Sequence, residues 1–80
     1  MKAVVNVFLK NGVLDSQGKA VHHALSSHGF GSVHDVRVGK QIIIEMGENN
    51  AEEAKEKVAQ MCEDLLANTV IEDYTIEMQA

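Results

Sequence analysis

The first ten residues alternate with a period of two, which is the period of a β-strand. The odd positions from Ala3 to Leu9 are all apolar. Val4 and Phe8 make the opposite face partly apolar as well. The pattern therefore predicts a strand over Lys2–Lys10 that is covered on both sides.

A short helix is predicted after this strand. Asn11-Gly12 is a turn signal, and Asp15 or Ser16 can cap the helix that follows. Gly29 supplies the left-handed residue that often ends a helix. Gly18 is the weak point of this helix, because Gly costs about 1 kcal/mol relative to Ala in a helix interior. The apolar stripe at helical spacing comprises Ala20, Val21, Ala24 and Leu25.

Two further strands are predicted between Val33 and Met46, one on each side of Gly39-Lys40. A Gly-Lys pair between two β-rich runs suits a two-residue hairpin turn with Gly first. The unbroken run Ile42–Ile44 indicates a strand with apolar neighbours on both faces.

The clearest periodicity in the chain belongs to a second helix. Asn50 is placed to cap it, and Glu53, three residues later, suits a capping box. The helix is predicted to end near Asn68, and residues 71–78 then alternate as a last strand. The apolar stripe of this helix comprises Ala54, Val58, Met61, Cys62 and Leu65.

The predicted order of elements is β-α-β-β-α-β. This is the order of the ferredoxin-like α+β fold, an antiparallel four-stranded sheet with two helices on one face. The length predicts a single domain over residues 1–80. Two helices cover only one face of a sheet, and the other face is also apolar on the first strand and in Ile42–Ile44. Because a bare apolar face is unusual on a monomer, we expect this face to be buried, either by dimerisation through the sheet or against another protein.

Charge divides the chain into two halves. Residues 1–44 hold five basic and two acidic residues (+3), and residues 45–80 hold two basic and ten acidic residues (−8), which gives the net charge of −5. An acidic protein gains nothing from a phosphate backbone, so we expect no nucleic-acid partner. The acidic half is either a solvated helix face or a docking surface for another protein.

The cellular compartment is predicted from features that the sequence lacks. A single cysteine cannot form an intrachain disulfide. No run approaches the roughly 20 apolar residues of a membrane span, and the N-terminus does not have the pattern of a signal peptide. We therefore expect a cytoplasmic protein with no membrane partner.

No catalytic, cofactor-binding or metal-binding set can be assembled from the sequence. Cys62 lies on the apolar stripe of the second helix, where a buried thiol is inert. Arg37, the one arginine, either lies on a solvated edge, pairs with Asp35 within the sheet, or contacts a carboxylate on a partner. The four histidines lack an i,i+4 pair on one helix face, so surface histidines are favoured over a metal site. They are His22, His23, His28 and His34.

Three segments spread over the chain form a set with a specific order and spacing. They are Val13–Gly18 (VLDSQG), Val33–Lys40 (VHDVRVGK) and Cys62–Tyr74 (CEDLLANTVIEDY). Together they resemble the PurS family, the small subunits of the three-part phosphoribosylformylglycinamidine synthase of purine biosynthesis. Ser16 departs from the family, which commonly has Pro at this position just inside the first helix.

The resemblance implies a non-catalytic, homodimeric assembly subunit. It implies two partners, a glutaminase subunit (PurQ) and a large synthetase subunit (PurL), which this chain bridges so that ammonia passes between them. ATP and Mg²⁺ are then bound by the synthetase subunit, and no cofactor is expected on this chain. The polar residues of the matched segments are expected to contact partners: Asp15, Gln17, Arg37, Lys40 and Asn68. Asn68 has the alternative role of a left-handed residue that ends the second helix.

A different class of function stays open at this stage. Ferredoxin-like domains that dimerise through sheets often bind amino acids at their interfaces, so a small-molecule-binding regulatory module is the alternative. Asn11-Gly12, after the first strand, is the only hint of such a site in the sequence.

Overall fold

A three-stranded antiparallel sheet forms the centre of the structure, a computed structural model that describes residues 1–79. The central strand β1 pairs with β2 on one side and with β3 on the other. The α+β class predicted from the sequence is confirmed. The elements are β1 (Lys2–Leu9), α1 (Ser16–Ser27), β2 (Gly39–Glu45), α2 (Ala51–Met61), a π-helical turn (Cys62–Leu66) and β3 (Glu72–Gln79).

The predicted hairpin around Gly39-Lys40 is not formed. Both residues belong to β2 itself, and residues 33–38 form no strand, so the described part of the chain has three strands rather than four. Two backbone donors of that segment are used by side chains instead. Val36 N donates to the Asp35 carboxylate at 2.9 Å, and Val38 N donates to the Asp15 carboxylate at 2.8 Å. The bond within the segment occupies the N–H of Val36, and the bond to Asp15 ties the segment to the start of α1 and not to the outer edge of β2.

The core lies between one face of the sheet and α2. Ala3, Val5 and Val7 of β1 are buried there, together with Val58 and Cys62, which follow each other at i,i+4 on one face of the helical segment. The Asn50 side chain caps α2 by accepting hydrogen bonds from the N–H groups of residues 52 and 53, as predicted. The periodicity of α2 therefore identified its buried face correctly up to Cys62.

The π-helical turn changes which side chains are buried at the end of α2. Ala67 N donates to Cys62 O at 3.0 Å, five residues back, whereas an α-helical turn closes after four. The extra residue brings Leu66 and Ala67 to the core and turns Leu65 outward, with 86% of its surface exposed. The assignment of Leu65 to the apolar stripe is therefore wrong.

The sheet face opposite α2 is of mixed polarity. Its apolar side chains are Val4, Phe8 and Ile43, whereas β3 contributes only polar residues. Polar groups also cross the middle of this face, where Gln41 Nε2 donates to Asn6 Oδ1 at 3.0 Å. The apolar part of the face is confined to β1 and β2.

Helix α1 stands apart from this core. Gly18 is its only buried residue, and Val21 on its apolar stripe is 42% exposed. The Cα radius of gyration is 16.0 Å, against roughly 12 Å for a compact domain of this length. Within one copy, α2 alone covers the sheet. No helix within residues 1–79 has the length and apolar character of a membrane span.

Candidate subunit interface

Asp15 ties the start of α1 to the segment before β2. Its Oδ1 accepts a hydrogen bond from Gly18 N at 2.8 Å, which caps the helix, and its Oδ2 accepts from Val38 N at 2.8 Å. The hydrogen bonds from Val38 and Gly18, with the nearby Arg37 charge, hold the pKa of the Asp15 carboxyl below its usual value. The carboxylate has therefore a structural role within the chain.

Arg37 links the same region to the end of β1. Its Nη1 donates to Asn11 Oδ1 at 2.8 Å, and its Nη2 donates to the carbonyls of Leu9 and Lys10, the latter at 3.3 Å. The carboxylate of Asp35, the intrasheet partner considered from the sequence, accepts from a backbone N–H instead. The guanidinium thus holds the loop after β1 against the segment before β2.

Gly18 allows α1 to approach that segment closely. A Cβ atom at this position would overlap the carbonyl oxygen of Val36 and would lie 2.7 Å from Asp15 Oδ2. Only a residue without a side chain fits this contact. From the sequence, Gly18 is only an unfavourable residue in a helix. The reason for it is its contact with Val36, which lies 18 positions later and is brought close only by the fold.

The cysteine and one of the histidines have packing roles within the chain. The Cys62 side chain is buried, and burial, with a contribution from the Glu63 charge, raises the pKa of its thiol, so the group stays neutral and inert. His22 Nε2 lies 2.8 Å from the carbonyl oxygen of Val33 and packs α1 onto the loop. Among residues 1–79, no three His, Cys, Asp or Glu side chains are grouped to hold a metal ion.

Four of the five residues predicted to contact partners lie in one region. A crevice of about 260 Å³ is lined by Asp15, Gln17 and Lys40 among others. A second crevice of about 350 Å³ is lined by Asp15 and Arg37, with Lys19 also at its wall. These four residues therefore lie close together around the start of α1, and two of them, Asp15 and Arg37, have hydrogen-bond partners within the chain. Its contact with other proteins stays a prediction.

Asn68, the fifth residue, organises the turn before β3. Its Oδ1 accepts from Val70 N at 3.2 Å, its carbonyl accepts from Ile71 N and Glu72 N at 3.0 and 2.7 Å, and its N–H donates to Glu72 Oε1 at 2.6 Å. No non-glycine residue among residues 1–79 has a positive φ. The alternative that Asn68 ends the helix in a left-handed conformation is therefore wrong, and its side chain shapes the turn instead.

The lowered pKa of Asp15 gives a pH-dependent prediction. A carboxyl whose pKa is lower in the folded than in the unfolded state stabilises the fold above about pH 3.9, and this contribution is lost as the pH falls through the folded-state pKa. We therefore expect Asp15→Ala to lower the Tm at pH 7 by about 4–8 °C, as is typical for loss of a cap. The difference from the unmodified chain should shrink towards the lowest pH at which both still fold.

The measurement is thermal unfolding followed by circular dichroism between pH 7 and pH 2.5. Glu56→Ala removes an exposed carboxylate on α2 and serves as the matched control, with a Tm within about 2 °C of the unmodified chain at every pH. An Asp15→Ala difference that stays constant with pH would contradict the role given to the ionised carboxylate.

Comparison with known proteins places this architecture in a family. The sequence profile of PurS, described as phosphoribosylformylglycinamidine (FGAM) synthase, matches residues 2–80. The chain belongs to the PurS family. The resemblance seen in the three sequence segments is therefore confirmed over nearly the whole chain. The family is that of a subunit of phosphoribosylformylglycinamidine synthase (EC 6.3.5.3), a ligase of purine biosynthesis.

Individual members of the PurS family align over almost their full length. The PurS subunit of Bacillus subtilis is 49% identical over 78 residues, which are 98% of this chain and 92% of that protein. The crystal structure of PurS from Methanocaldococcus jannaschii superposes with a TM-score of 0.87 at 47% identity, covering 95% of this chain and 92% of that one. A chain in the PurLQS structure from Thermotoga maritima also gives 0.87, at 33% identity over 95% of this chain and 93% of that one.

Proposed function

We propose that this chain is the non-catalytic assembly subunit of the synthase and that it bridges the glutaminase PurQ and the synthetase PurL. The observation that carries the proposal is the likeness to the T. maritima PurLQS structure, with a TM-score of 0.87 over 95% of the chain. That structure is named for three kinds of subunit, and the chain fits the PurS-like one. In this proposal, glutamine hydrolysis and ATP-dependent amidine synthesis are carried out by the other two subunits, PurQ and PurL.

The proposed role follows from the chemistry of a glutamine-dependent synthase. Glutamine is hydrolysed at one active site, and the ammonia is used with ATP at another to convert formylglycinamide ribonucleotide to its amidine, with release of ADP and phosphate. Ammonia that escapes into water is lost to the reaction. A subunit that holds the two sites together raises the effective concentration of one at the other. In this proposal ATP and Mg²⁺ bind to PurL, the present chain carries no cofactor, and the complex is cytoplasmic.

A second copy of the chain completes the unit that we propose. Strand β2 is an edge strand, and its outer side has no partner among residues 1–79. An exposed strand edge is normally paired or covered. Ile43, a residue of β2 itself, is 56% exposed. Helix α1 meanwhile presents an apolar stripe that packs against nothing extensive in its own chain. One copy thus exposes apolar side chains on the β1–β2 side of the sheet and also an apolar stripe on α1. In a homodimer the stripe of each copy can cover the sheet of the other.

Size supports the same conclusion. A single domain of 80 residues buries only about 60–65% of the surface that its unfolded chain exposes, and such domains often gain stability by oligomerising. Packing α1 onto the β1–β2 side of a second copy buries apolar surface on both elements. We propose this reciprocal arrangement as the form in which the chain joins the complex.

The alternative of a small-molecule-binding regulatory module gains little support. The crevice beside Asp15, at about 260 Å³, lies below the roughly 300–1,000 Å³ of typical ligand sites. The one beside Arg37, at about 350 Å³, has polar walls and is at the lower limit. Calorimetric titration with amino acids and nucleotides distinguishes an assembly subunit from a small-molecule-binding module. If the chain is an assembly subunit, we expect no heat of binding when these compounds are added to the isolated chain.

Assembly is tested with purified PurL, PurQ and this chain in sedimentation velocity experiments. We expect PurL and PurQ to sediment together only when this chain is present. If the two associate equally well without it, or if it binds neither of them, the bridging role is wrong.

A further inference from the structure

The connection between α2 and β3 carries the two most exposed large apolar side chains that the structure describes. Leu65 is 86% exposed and Val70 is 82% exposed. Single apolar residues on a surface are ordinary, but these two stand within six residues of each other, next to Ile71 at 39%. We call residues 65–70 the apolar connection.

The backbone of the apolar connection is held by hydrogen bonds on both sides. The π-helical bond from Ala67 N to Cys62 O fixes its beginning, and the turn built by Asn68 fixes its end. Beside it, the Tyr74 hydroxyl donates to Glu63 Oε2 at 2.8 Å. π-Helical turns of this kind occur frequently at functional sites. Leu65 and Val70 are thus presented to solvent by an ordered segment, which lowers the entropic cost of binding them.

The charge around the apolar connection indicates what kind of surface it fits. No Lys or Arg occurs from Val58 to the end of the sequence. Four carboxylates flank the connection, and each has one oxygen engaged within the chain. That of Asp73 lies 3.5 Å from Lys10 Nζ, and the other three carboxylates accept one hydrogen bond each, from Gln60 Nε2, the Tyr74 hydroxyl and the Asn68 N–H. A symmetric contact between two copies would bring these like charges together, which is unfavourable. The flanking carboxylates are Glu63, Asp64, Glu72 and Asp73.

We propose that the apolar connection docks into another subunit of the synthase, at a shallow apolar depression rimmed by Lys and Arg side chains. Leu65 and Val70 enter the depression, and the carboxylates pair with its rim. This inference rests on the proposed function, since it names the surface by which the chain reaches a non-identical partner. It also separates that surface from the α1 and β2 surfaces assigned to the homodimer.

The test is a double substitution, Leu65→Ser with Val70→Ser, in the full chain. Binding to immobilised PurL and, separately, to PurQ is measured by interferometry, with light scattering and circular dichroism to follow self-association and folding. We expect at least a tenfold weaker Kd for one of the two partners, with unchanged self-association. Phe30→Ser, at a position 57% exposed in the turn after α1 and outside both crevices around Asp15, is the matched control and should change the Kd less than twofold.

A charge variant tests the same surface without touching the apolar side chains. Asp64→Lys should weaken binding to the same partner at least fivefold at low salt, and this effect should diminish as ionic strength rises. The proposal is overturned if both variants bind PurL and PurQ as the unmodified chain does, if Phe30→Ser is equally weakened, or if the double variant loses self-association instead. Failure of the unmodified chain to bind either subunit would instead overturn the proposed function itself.

Discussion

Gly18→Ala is expected to destabilise the protein, although the same change inside a helix normally stabilises it. Alanine is favoured over glycine by about 1 kcal/mol in an unhindered helix. Here the added Cβ overlaps the carbonyl oxygen of Val36 and lies 2.7 Å from an Asp15 carboxylate oxygen. Relief of the overlap requires backbone movement, which typically costs about 1–3 kcal/mol. It also pulls Asp15 away from Val38 N, which it binds at 2.8 Å.

Thermal unfolding measures this effect. We expect Gly18→Ala to lower the Tm by about 4–8 °C. Gly47→Ala is the matched control, because a Cβ there has no atom within 4 Å and the backbone does not need a positive φ; its Tm should be equal or higher. A Tm that rises in Gly18→Ala would show that α1 does not lie against the segment before β2 as described.

If the chain forms the homodimer that we propose, Val21→Asp is expected to convert it into a monomer. Val21 lies on the apolar stripe of α1 and is 42% exposed in a single copy. In the proposed dimer it is covered by the second copy, and burial of an unpaired carboxylate there is strongly unfavourable. The monomer itself should keep its fold, because α1 contributes no side chain to the core between the sheet and α2.

Light scattering and sedimentation equilibrium give the result directly. We expect at least a tenfold rise in the dissociation constant of the dimer for Val21→Asp. His23→Asp adds the same charge on the opposite side of α1, since two residues correspond to about 200° of helical rotation, and should leave the dimer intact. Equal behaviour of the two variants, or a Val21→Asp chain that remains dimeric, would contradict the assignment of the α1 stripe to the dimer.

The sequence predicted those parts of the fold that depend on local pattern. The alternation in β1, the helical period of α2 up to Cys62 and the caps at Asp15 and Asn50 are all confirmed. Each depends on residues a few positions apart, where periodicity and hydrogen-bonding preference act directly. The three family segments likewise located the residues that surround the start of α1.

The features that the sequence did not predict depend on long-range contacts or on a single-residue shift. The extra strand was expected from alternating valines, but an Asp15 oxygen, 23 residues away, takes the N–H of Val38. A π-helical turn after Met61 moves Leu65 out of the apolar stripe. The α-helical period of 3.6 residues, extended over one more turn, assumes that no such extra residue is inserted and therefore cannot predict the shift. The separation of α1 from the core also could not be predicted, because the periodicity of a helix indicates an apolar face and not which surface covers that face. Four of the five residues predicted to contact partners lie close together in the fold, while the internal hydrogen bonds of Asp15 and Arg37 appear only in three dimensions.

In the function that we propose, this chain couples glutamine hydrolysis to amidine synthesis without performing either reaction. The decisive measurement is amidine formation by purified PurL and PurQ, with and without this chain, using glutamine or ammonium chloride as the nitrogen donor. We expect glutamine-dependent synthesis to appear only when the chain is added. Glutamine-dependent synthesis at the same rate in its absence, with ammonia and glutamine serving equally well in both cases, would contradict it.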